Sequence, residues 1–224
     1  MVNTRASAGG VSFQALRLYL VTDQSSAGSR PLTDVVAAAV QGGVTCVQLR
    51  EKHLTTRDFF AQAMLLKSLL APQNIPLVIN VRIDVALACG AQGVHLGQSD
   101  MPVAQARRLL PPEVFIGWSV ETMEDVARSA SLAVDYLGVS PIHATPTKTD
   151  TQKPWGLAGL RQVRSATALP LVAIGGIHAG NARAVLSAGA DGLALVSALC
   201  AAPDPRAAAA EFRKLMDSRK IDDC

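Results

Sequence analysis

A short run of amide and charged residues follows an apolar, β-type stretch early in the chain. The run is Gln48-Leu49-Arg50-Glu51-Lys52. Side chains alternate along a strand, which puts Gln48 and Arg50 on one face, and Lys52 too if the strand persists. Two cations and an amide on one face suit an anionic ligand. An isolated run of this kind is also typical of a solvated loop with a surface ion pair, but its position after a buried strand favours the ligand.

Polar side chains also stand at the ends of the next predicted strands. These are Asn80, then His95 and Asp100, then Ser119. Asp100 is a candidate metal ligand and equally a candidate N-cap for a helix that begins near Pro102. His95 alternates with apolar neighbours and points into the core, where a lone histidine is more often a hydrogen-bonded core residue than a catalyst. The histidines lack the spacing of zinc ligands.

The loop after the sixth predicted strand is long and rich in hydroxyl groups. It reads His143-Ala144-Thr145-Pro146-Thr147-Lys148-Thr149-Asp150. In compact domains such loops are often lids or ligand-binding loops. Three threonines and one lysine suit an anion, and the alternative is an exposed flexible loop with capping threonines.

The ends of the seventh and eighth predicted strands predict a phosphate site. Strand seven ends in the sequence AIGGI (173–177), and strand eight ends in Leu195-Val196-Ser197. Barrel enzymes frequently bind phosphate with backbone N–H groups after these two strands, where a side chain would obstruct close approach. We therefore expect a phosphate cradle at Gly176, Val196 and Ser197. The alternative is a glycine pair that only eases a tight turn.

A second anion site is expected at Arg50, Lys52 and Lys148, which we call the cation cluster. Asp100 beside it would hold Mg²⁺ next to a diphosphate. One aspartate is enough for this, because Mg²⁺ usually takes only one or two protein carboxylates and completes its shell with water and phosphate oxygens.

The elements that must position these residues alternate between β-type runs and helical patterns. The predicted strands are 16–23, 44–50, 77–80, 93–97, 114–120, 135–140, 171–176 and 192–197, and the predicted helices are 32–42, 55–70, 82–89, 102–110, 121–130, 157–167, 181–188 and 205–217. A helix-end-to-strand pattern recurs at Gly43, Gly90 and Gly189, at separations of two and then four units of roughly 25 residues. This echo favours a closed α/β fold, the (β/α)8 TIM barrel, over an open doubly wound sheet.

Composition limits the class of protein. Of 224 residues, 49% are hydrophobic and 17% charged, and the net charge is +3 with scattered Lys and Arg, which predicts a soluble α/β enzyme with no nucleic-acid or membrane-binding stripe. We divide the chain into a flexible N-terminal segment 1–15, a single barrel domain 16–218 and a tail 219–224. Unpaired cysteine spacing and the lack of a signal-peptide pattern favour the cytoplasm. The sequence leaves a homo-oligomer open.

Taken in order, these motifs resemble those of the thiamine phosphate synthase family, over a span from about Leu18 to about Ser197. The matching stretches are QLREK (48–52), Asn80, GVHLGQSD (93–100), GWS (117–119), TPTK (145–148), IGGI (174–177) and ADGLALVS (190–197). The resemblance implies a Mg²⁺-dependent transferase that joins a hydroxymethylpyrimidine diphosphate to a thiazole phosphate, or to its carboxylated precursor. The products would be thiamine phosphate and pyrophosphate.

The resemblance also implies roles for individual residues. The pyrimidine diphosphate would be bound by Gln48, Arg50, Lys52, Asn80, Ser119 and Lys148, the thiazole phosphate by Thr145, Thr147, Gly176, Val196 and Ser197, and Mg²⁺ by Asp100. Leu49, Glu51 and Pro146 would also belong to the substrate-binding residues. The implied reaction is dissociative: diphosphate leaves, and the thiazole nitrogen captures the pyrimidine cation without a protein nucleophile. Arg50, Lys52, Ser119 and Lys148 would then be catalytic by stabilising charge on the leaving group.

Two positions depart from the family pattern. Val81 stands where the family usually has a second Mg²⁺-binding aspartate, and His143-Ala144 replaces an aromatic-proline pair. Three alternatives remain. A thiazole tautomerase paralogue would not need the cation cluster, a non-catalytic phosphate-binding barrel is supported by Val81 alone, and an unrelated barrel of amino-acid biosynthesis would not need residues 48–52.

Overall fold

The fold of the computed structural model, which describes residues 13–144 and 153–218, is a closed barrel of eight parallel strands in chain order. Each strand pairs with the next, and the last pairs with the first. The strands are β1 Leu18–Val21, β2 Cys46–Leu49, β3 Leu77–Asn80, β4 Gly93–Leu96, β5 Phe115–Val120, β6 Tyr136–Val139, β7 Leu171–Ile174 and β8 Gly192–Leu195. The predicted (β/α)8 TIM barrel is confirmed, and the open doubly wound sheet is wrong.

Helices follow the strands along the chain. They are α1 Gln24–Ala27, α2 Leu32–Gln41, α3 Thr56–Leu70, α4 Ile83–Cys89, α5 Val103–Leu109, α6 Met123–Ser129, α7 Gly156–Ala166, α8 Ala179–Ser187, α9 Ser197–Cys200 and α10 Pro205–Asp217, with 3-10 turns at Phe13–Leu16 and Ala71–Gln73. All eight predicted helices are present. The four-residue helices α1 and α9 were not predicted, because one turn is too short to leave a helical period in the sequence. Across the described ranges, no helix has the length and apolar character needed to span a membrane.

Apolar side chains pack on both faces of the strands. Leu18, Leu20 and similar residues fill the layer between strands and helices, while Tyr19, Phe115 and Tyr136 fill the barrel interior. Burial on both faces explains why the strands read as aliphatic runs rather than as clean alternations. The polar residues within this packing must therefore find hydrogen-bond partners.

The ends of the chain lie mostly beyond the part that the structure describes. Residues 1–12 and 219–224 fall outside it, so the predicted flexible segment 1–15 and tail 219–224 stay predictions. The 3-10 turn Phe13–Leu16 falls partly within the first of these segments, and Leu16 is fully buried.

Candidate active site

A cavity of about 510 Å³ opens at the carboxyl ends of the strands. This size is typical of small-molecule sites. All eight strands or the loops after them contribute to its wall. Of the residues expected from the sequence, the structure brings together Gln48, Arg50, Lys52, Asn80, Asp100, Ser119, Gly176, Val196 and Ser197.

The remaining expected residues lie elsewhere. Leu49 is fully buried in the layer between strands and helices and is not among the residues that line the cavity. Residues 145–148, which hold Thr145, Pro146, Thr147 and Lys148, lie outside the described residues, and their roles stay predictions.

Glu51 is half-buried and lies beside the cavity wall rather than in it. Burial raises the pKa of its carboxyl group, and the neighbouring Asp23 raises that pKa further, while Arg50 and His53 oppose the shift. Its Oε1 is buried without a hydrogen-bond partner among the described residues. Glu51 is therefore a group whose charged form is poorly accommodated by its surroundings.

The position of Arg50 is set by the pairing of β1 with β2, which continues past the strand ends. The Thr22 N–H donates to the Gln48 carbonyl at 2.9 Å, and the Arg50 N–H donates to Thr22 Oγ1 at 3.0 Å. The alternation of side chains is thereby kept through residue 50. Arg50 lines the cavity on the same face as Gln48, as the sequence predicts.

Asp100 is held by its own loop. Its Oδ2 accepts a hydrogen bond from the Gly97 N–H at 2.6 Å. Helix α5 begins later, with Pro102 at the N-cap position, so the interpretation of Asp100 as an N-cap is wrong. Among the described residues, Oδ1 has no hydrogen-bond partner, and no group of three or more His, Cys, Asp or Glu is arranged to hold a metal. A cation near Asp100 would need oxygens from elsewhere.

Val81 has an unusual backbone conformation at the cavity rim. Its φ is +65°, and the Arg82 N–H donates to the Asn80 carbonyl at 2.7 Å, which closes a γ-turn around Val81. A β-branched residue with positive φ is a genuine outlier, and strain of this kind costs about 1–3 kcal/mol. Val81 is 37% exposed. The turn directly follows Asn80, the last residue of β3.

Five polar side chains that line the cavity form a hydrogen-bonded row across the barrel interior. Gln48 Nε2 donates to the Tyr19 hydroxyl at 2.9 Å, and the hydroxyls of Tyr19 and Tyr136 are 3.0 Å apart. His95 Nδ1 is 2.8 Å from the Tyr136 hydroxyl, and His95 Nε2 is 2.9 Å from Ser119 Oγ. We call Gln48, Tyr19, Tyr136, His95 and Ser119 the polar row. His95 is hydrogen-bonded as its sequence context favours, yet it also lines the cavity.

Two glycines make room for the rings of the polar row. A Cβ atom at Gly117 would lie 2.0 Å from the Tyr136 ring, and one at Gly138 would lie 2.9 Å from His95 Cε1. Sequence reasoning missed Tyr19 and Tyr136. The glycines within β5 and β6 were the available signal, because a glycine inside a strand often marks a close approach.

The loops after β7 and β8 form the other wall. Gly176 has a φ of +62°, and a Cβ there would lie 2.7 Å from His143 Cβ and 2.9 Å from the Ala144 carbonyl oxygen. Asn181 Nδ2 donates to the Gly176 carbonyl at 2.9 Å, which fixes this turn to α8. Helix α9 starts at Ser197, and the first N–H groups of a helix have no partner within it. Val196, Ser197 and Ala198 at the start of this helix line the cavity on this side.

The chain matches a known family over most of its length. A family model described as thiamine monophosphate synthase matches residues 18–199. The thiamine-phosphate synthase of Albidiferax ferrireducens is 78% identical over 218 residues, which cover 97% of this chain and 100% of that protein. The thiamine-phosphate synthase of Vibrio parahaemolyticus is 51% identical over 203 residues, 91% of this chain and 99% of that one.

Solved structures with the same fold include a protein of similar name. Thiamine phosphate pyrophosphorylase from Pyrococcus furiosus matches with a TM-score of 0.85 at 36% identity, covering 92% of this chain and 98% of that chain. A 3-hexulose-6-phosphate synthase, with a TM-score of 0.63 and 18% identity, shares the fold alone.

Proposed function

Because the chain belongs to the thiamine monophosphate synthase family, we propose that its barrel mouth is the site where it forms thiamine phosphate and releases diphosphate. The substrates are 4-amino-2-methyl-5-(diphosphooxymethyl)pyrimidine and 4-methyl-5-(2-phosphooxyethyl)thiazole or its carboxylated precursor. The observation that carries the proposal is the sharing of one cavity by Arg50 and Lys52 on one side and Gly176 and Ser197 on the other. Two anionic substrates could thus meet in it.

The cation cluster would act on the leaving group. As the bond between the pyrimidine methylene and the diphosphate oxygen breaks, its electron pair moves onto the diphosphate, and the electron-rich aminopyrimidine delocalises the positive charge that remains. Arg50, Lys52 and Ser119, with Lys148 from the loop, would donate to the diphosphate oxygens. One preorganised donor of this type lowers the activation barrier by about 2.7–4 kcal/mol. No protein nucleophile takes part.

The phosphate cradle would place the second substrate. Backbone N–H groups at Gly176, Val196 and Ser197 would bind the phosphate of the thiazole, which leaves the thiazole nitrogen to face the pyrimidine methylene. Holding two reactants in line removes much of the entropic cost of their encounter. The new carbon–nitrogen bond then forms between the thiazole nitrogen and the pyrimidine methylene carbon.

Enzymes of this family generally use Mg²⁺. The donor chemistry of the rim fits the ion, because Asp100 supplies a carboxylate oxygen and Asn80 an amide oxygen, both of which are hard ligands. Bound there, the ion would neutralise charge on the departing diphosphate. With valine at position 81, the rest of its shell would come from water and substrate, so we expect Asp100 to hold it weakly before the diphosphate binds.

The test is an assay of the purified protein with both substrates and Mg²⁺, in which thiamine phosphate is measured directly. We expect product and diphosphate in equal amounts. A tautomerase would leave the pyrimidine diphosphate intact, and a non-catalytic barrel would form no product at any Mg²⁺ concentration. A cytoplasmic location and self-association into a homo-oligomer belong to the same proposal, and light scattering of the purified protein would measure the second.

A further inference from the structure

The polar row has a direction, and that direction ends in the active site. We propose that the row fixes the single hydroxyl proton of Ser119 so that it points into the cavity, which makes His95 and Tyr136 positioning residues for Ser119. The inference rests on the proposed role of Ser119 as a donor to the diphosphate. It assigns a task to a buried network that the reaction itself does not require.

The direction follows from counting protons, starting at Gln48. An amide nitrogen only donates, so the Tyr19 oxygen accepts from Gln48 Nε2 at 2.9 Å. Tyr19 has one proton, and its hydroxyl partner is Tyr136, 3.0 Å away. The buried Cys46 sulfur beside Tyr19 is a weak acceptor, and the Tyr136 hydroxyl oxygen is the better acceptor for the Tyr19 proton. The Tyr136 oxygen therefore accepts from Tyr19.

The second half of the row follows from the first. Tyr136 has accepted a hydrogen bond, so its own proton is available for His95 Nδ1 at 2.8 Å. Nδ1 must then be unprotonated. A neutral imidazole with a bare Nδ1 has its proton on Nε2, and it donates to Ser119 Oγ at 2.9 Å. Ser119 Oγ has thereby accepted a hydrogen bond, and its own proton is left to donate to a substrate oxygen.

The surroundings hold this arrangement in place. Burial raises the pKa of both tyrosines well above the usual value, so each keeps the proton that the row needs. The ring of Tyr136 fills the space above Gly117, and the ring of His95 packs against Gly138. The two rings leave no room for a side chain at either glycine position, so the row is closely packed. If the hydrogen bonds ran in the opposite direction, Ser119 would donate its proton to His95 Nε2, and that proton could not form a hydrogen bond with the substrate.

The first test reads the tautomer of His95. In protein labelled with ¹⁵N in the histidine rings, two-bond ¹H–¹⁵N spectra distinguish protonated from bare ring nitrogens, and His95→Gln identifies the resonances among the four histidines. We expect a bare Nδ1 and a protonated Nε2. Tyr136→Phe should move the Nδ1 resonance strongly. Tyr19→Phe, a matched change one step back along the row, should move it little. A protonated Nδ1 in the native protein would overturn the proposal.

The second test couples the row to turnover. Tyr136→Phe should lower kcat by about 3- to 10-fold, the worth of one neutral hydrogen bond, with both KM values changed less than kcat. In the Ser119→Ala background the same substitution should have no further effect on kcat, because the positioned group is gone. An equal loss in both backgrounds would assign a merely structural role to Tyr136. If the native protein forms no thiamine phosphate, the proposed function fails, and the tautomer measurement still decides the direction of the row.

Discussion

Replacing Gly176 by alanine should damage the phosphate cradle and spare the cation cluster. Gly176 lies in the wall of the cavity with a φ of +62°, and an added Cβ would lie 2.7 Å from His143 Cβ and 2.9 Å from the Ala144 carbonyl oxygen. Gly90 provides the matched control. Its φ is +63°, a Cβ there would meet nothing within 4 Å, and it ends α4 at the other end of the barrel.

The two glycines separate backbone strain from crowding. A left-handed alanine costs about 1–2 kcal/mol, and this is the whole cost expected for Gly90→Ala. Gly176→Ala adds crowding against backbone and Cβ atoms, which typically costs about 1–3 kcal/mol. At ~2–4 °C per kcal/mol for a domain of this size, Tm should fall by about 2–8 °C in the first variant and about 4–20 °C in the second.

The functional readout is the pair of KM values. Displacing one or two charge-assisted backbone hydrogen bonds should raise KM for the thiazole phosphate by roughly 10- to 100-fold in Gly176→Ala. The larger Gly176→Val should raise it further, and KM for the pyrimidine diphosphate should change far less. Gly90→Ala should leave both values near those of the native protein. Equal rises of both KM values, or a thiazole KM matching that of Gly90→Ala, would refute the assignment of the cradle.

Three further predictions concern the other wall. Arg50→Ala and Lys148→Ala should each lower kcat by ~10² or more, since each removes a donor to the leaving group. Arg108→Ala, on the exposed surface of α5, should leave kcat unchanged, and a wild-type rate in either of the first two would remove its residue from the mechanism. Val81→Asp should lower the Mg²⁺ concentration for half-maximal activity, because a second carboxylate beside Asn80 would attract the cation, and an unchanged midpoint would contradict this. Glu51→Gln should raise Tm at pH 8 more than at pH 4. An unfolded glutamate ionises near pH ~4.3, whereas the folded carboxyl group has a raised pKa, so the native protein loses stability as the pH rises between these two pKa values. Parallel profiles of Tm against pH for the two proteins would count against this.

The sequence could predict the features that have a period. Strands and helices were found because aliphatic runs and amphipathic patterns repeat along the barrel. The alternation of side chains likewise put Gln48 and Arg50 on the same inward face. Asp100 shows where local pattern reading fails. Its carboxylate accepts a hydrogen bond from the Gly97 N–H within its own loop instead of capping α5. Residue types alone do not show which of two possible local hydrogen bonds will form.

The polar row could not be predicted for a different reason. Tyr19 and Tyr136 are far apart in the chain, and their hydroxyls meet only because the barrel closes and points both rings into one interior. Gly117 and Gly138 indicate that a bulky group packs against the backbone there, but a glycine does not identify the side chain that fills the space. Contacts of this kind depend on the register of strands that do not neighbour each other in sequence.

The γ-turn at Val81 bears on the idea of a barrel that has lost catalysis. Two hydrogen bonds hold the turn, from the Val81 N–H to the His95 carbonyl and from the Arg82 N–H to the Asn80 carbonyl. The positive φ suits aspartate or asparagine far better than valine, so the strain of about 1–3 kcal/mol persists here without a carboxylate to bind metal. Strain that persists must be over-determined by its surroundings, and these two bonds also end β3 with Asn80 at the cavity wall. The rim thus has a backbone turn that suits aspartate at position 81, which is the condition under which Val81→Asp could add a carboxylate beside the proposed Mg²⁺ site without rebuilding the loop.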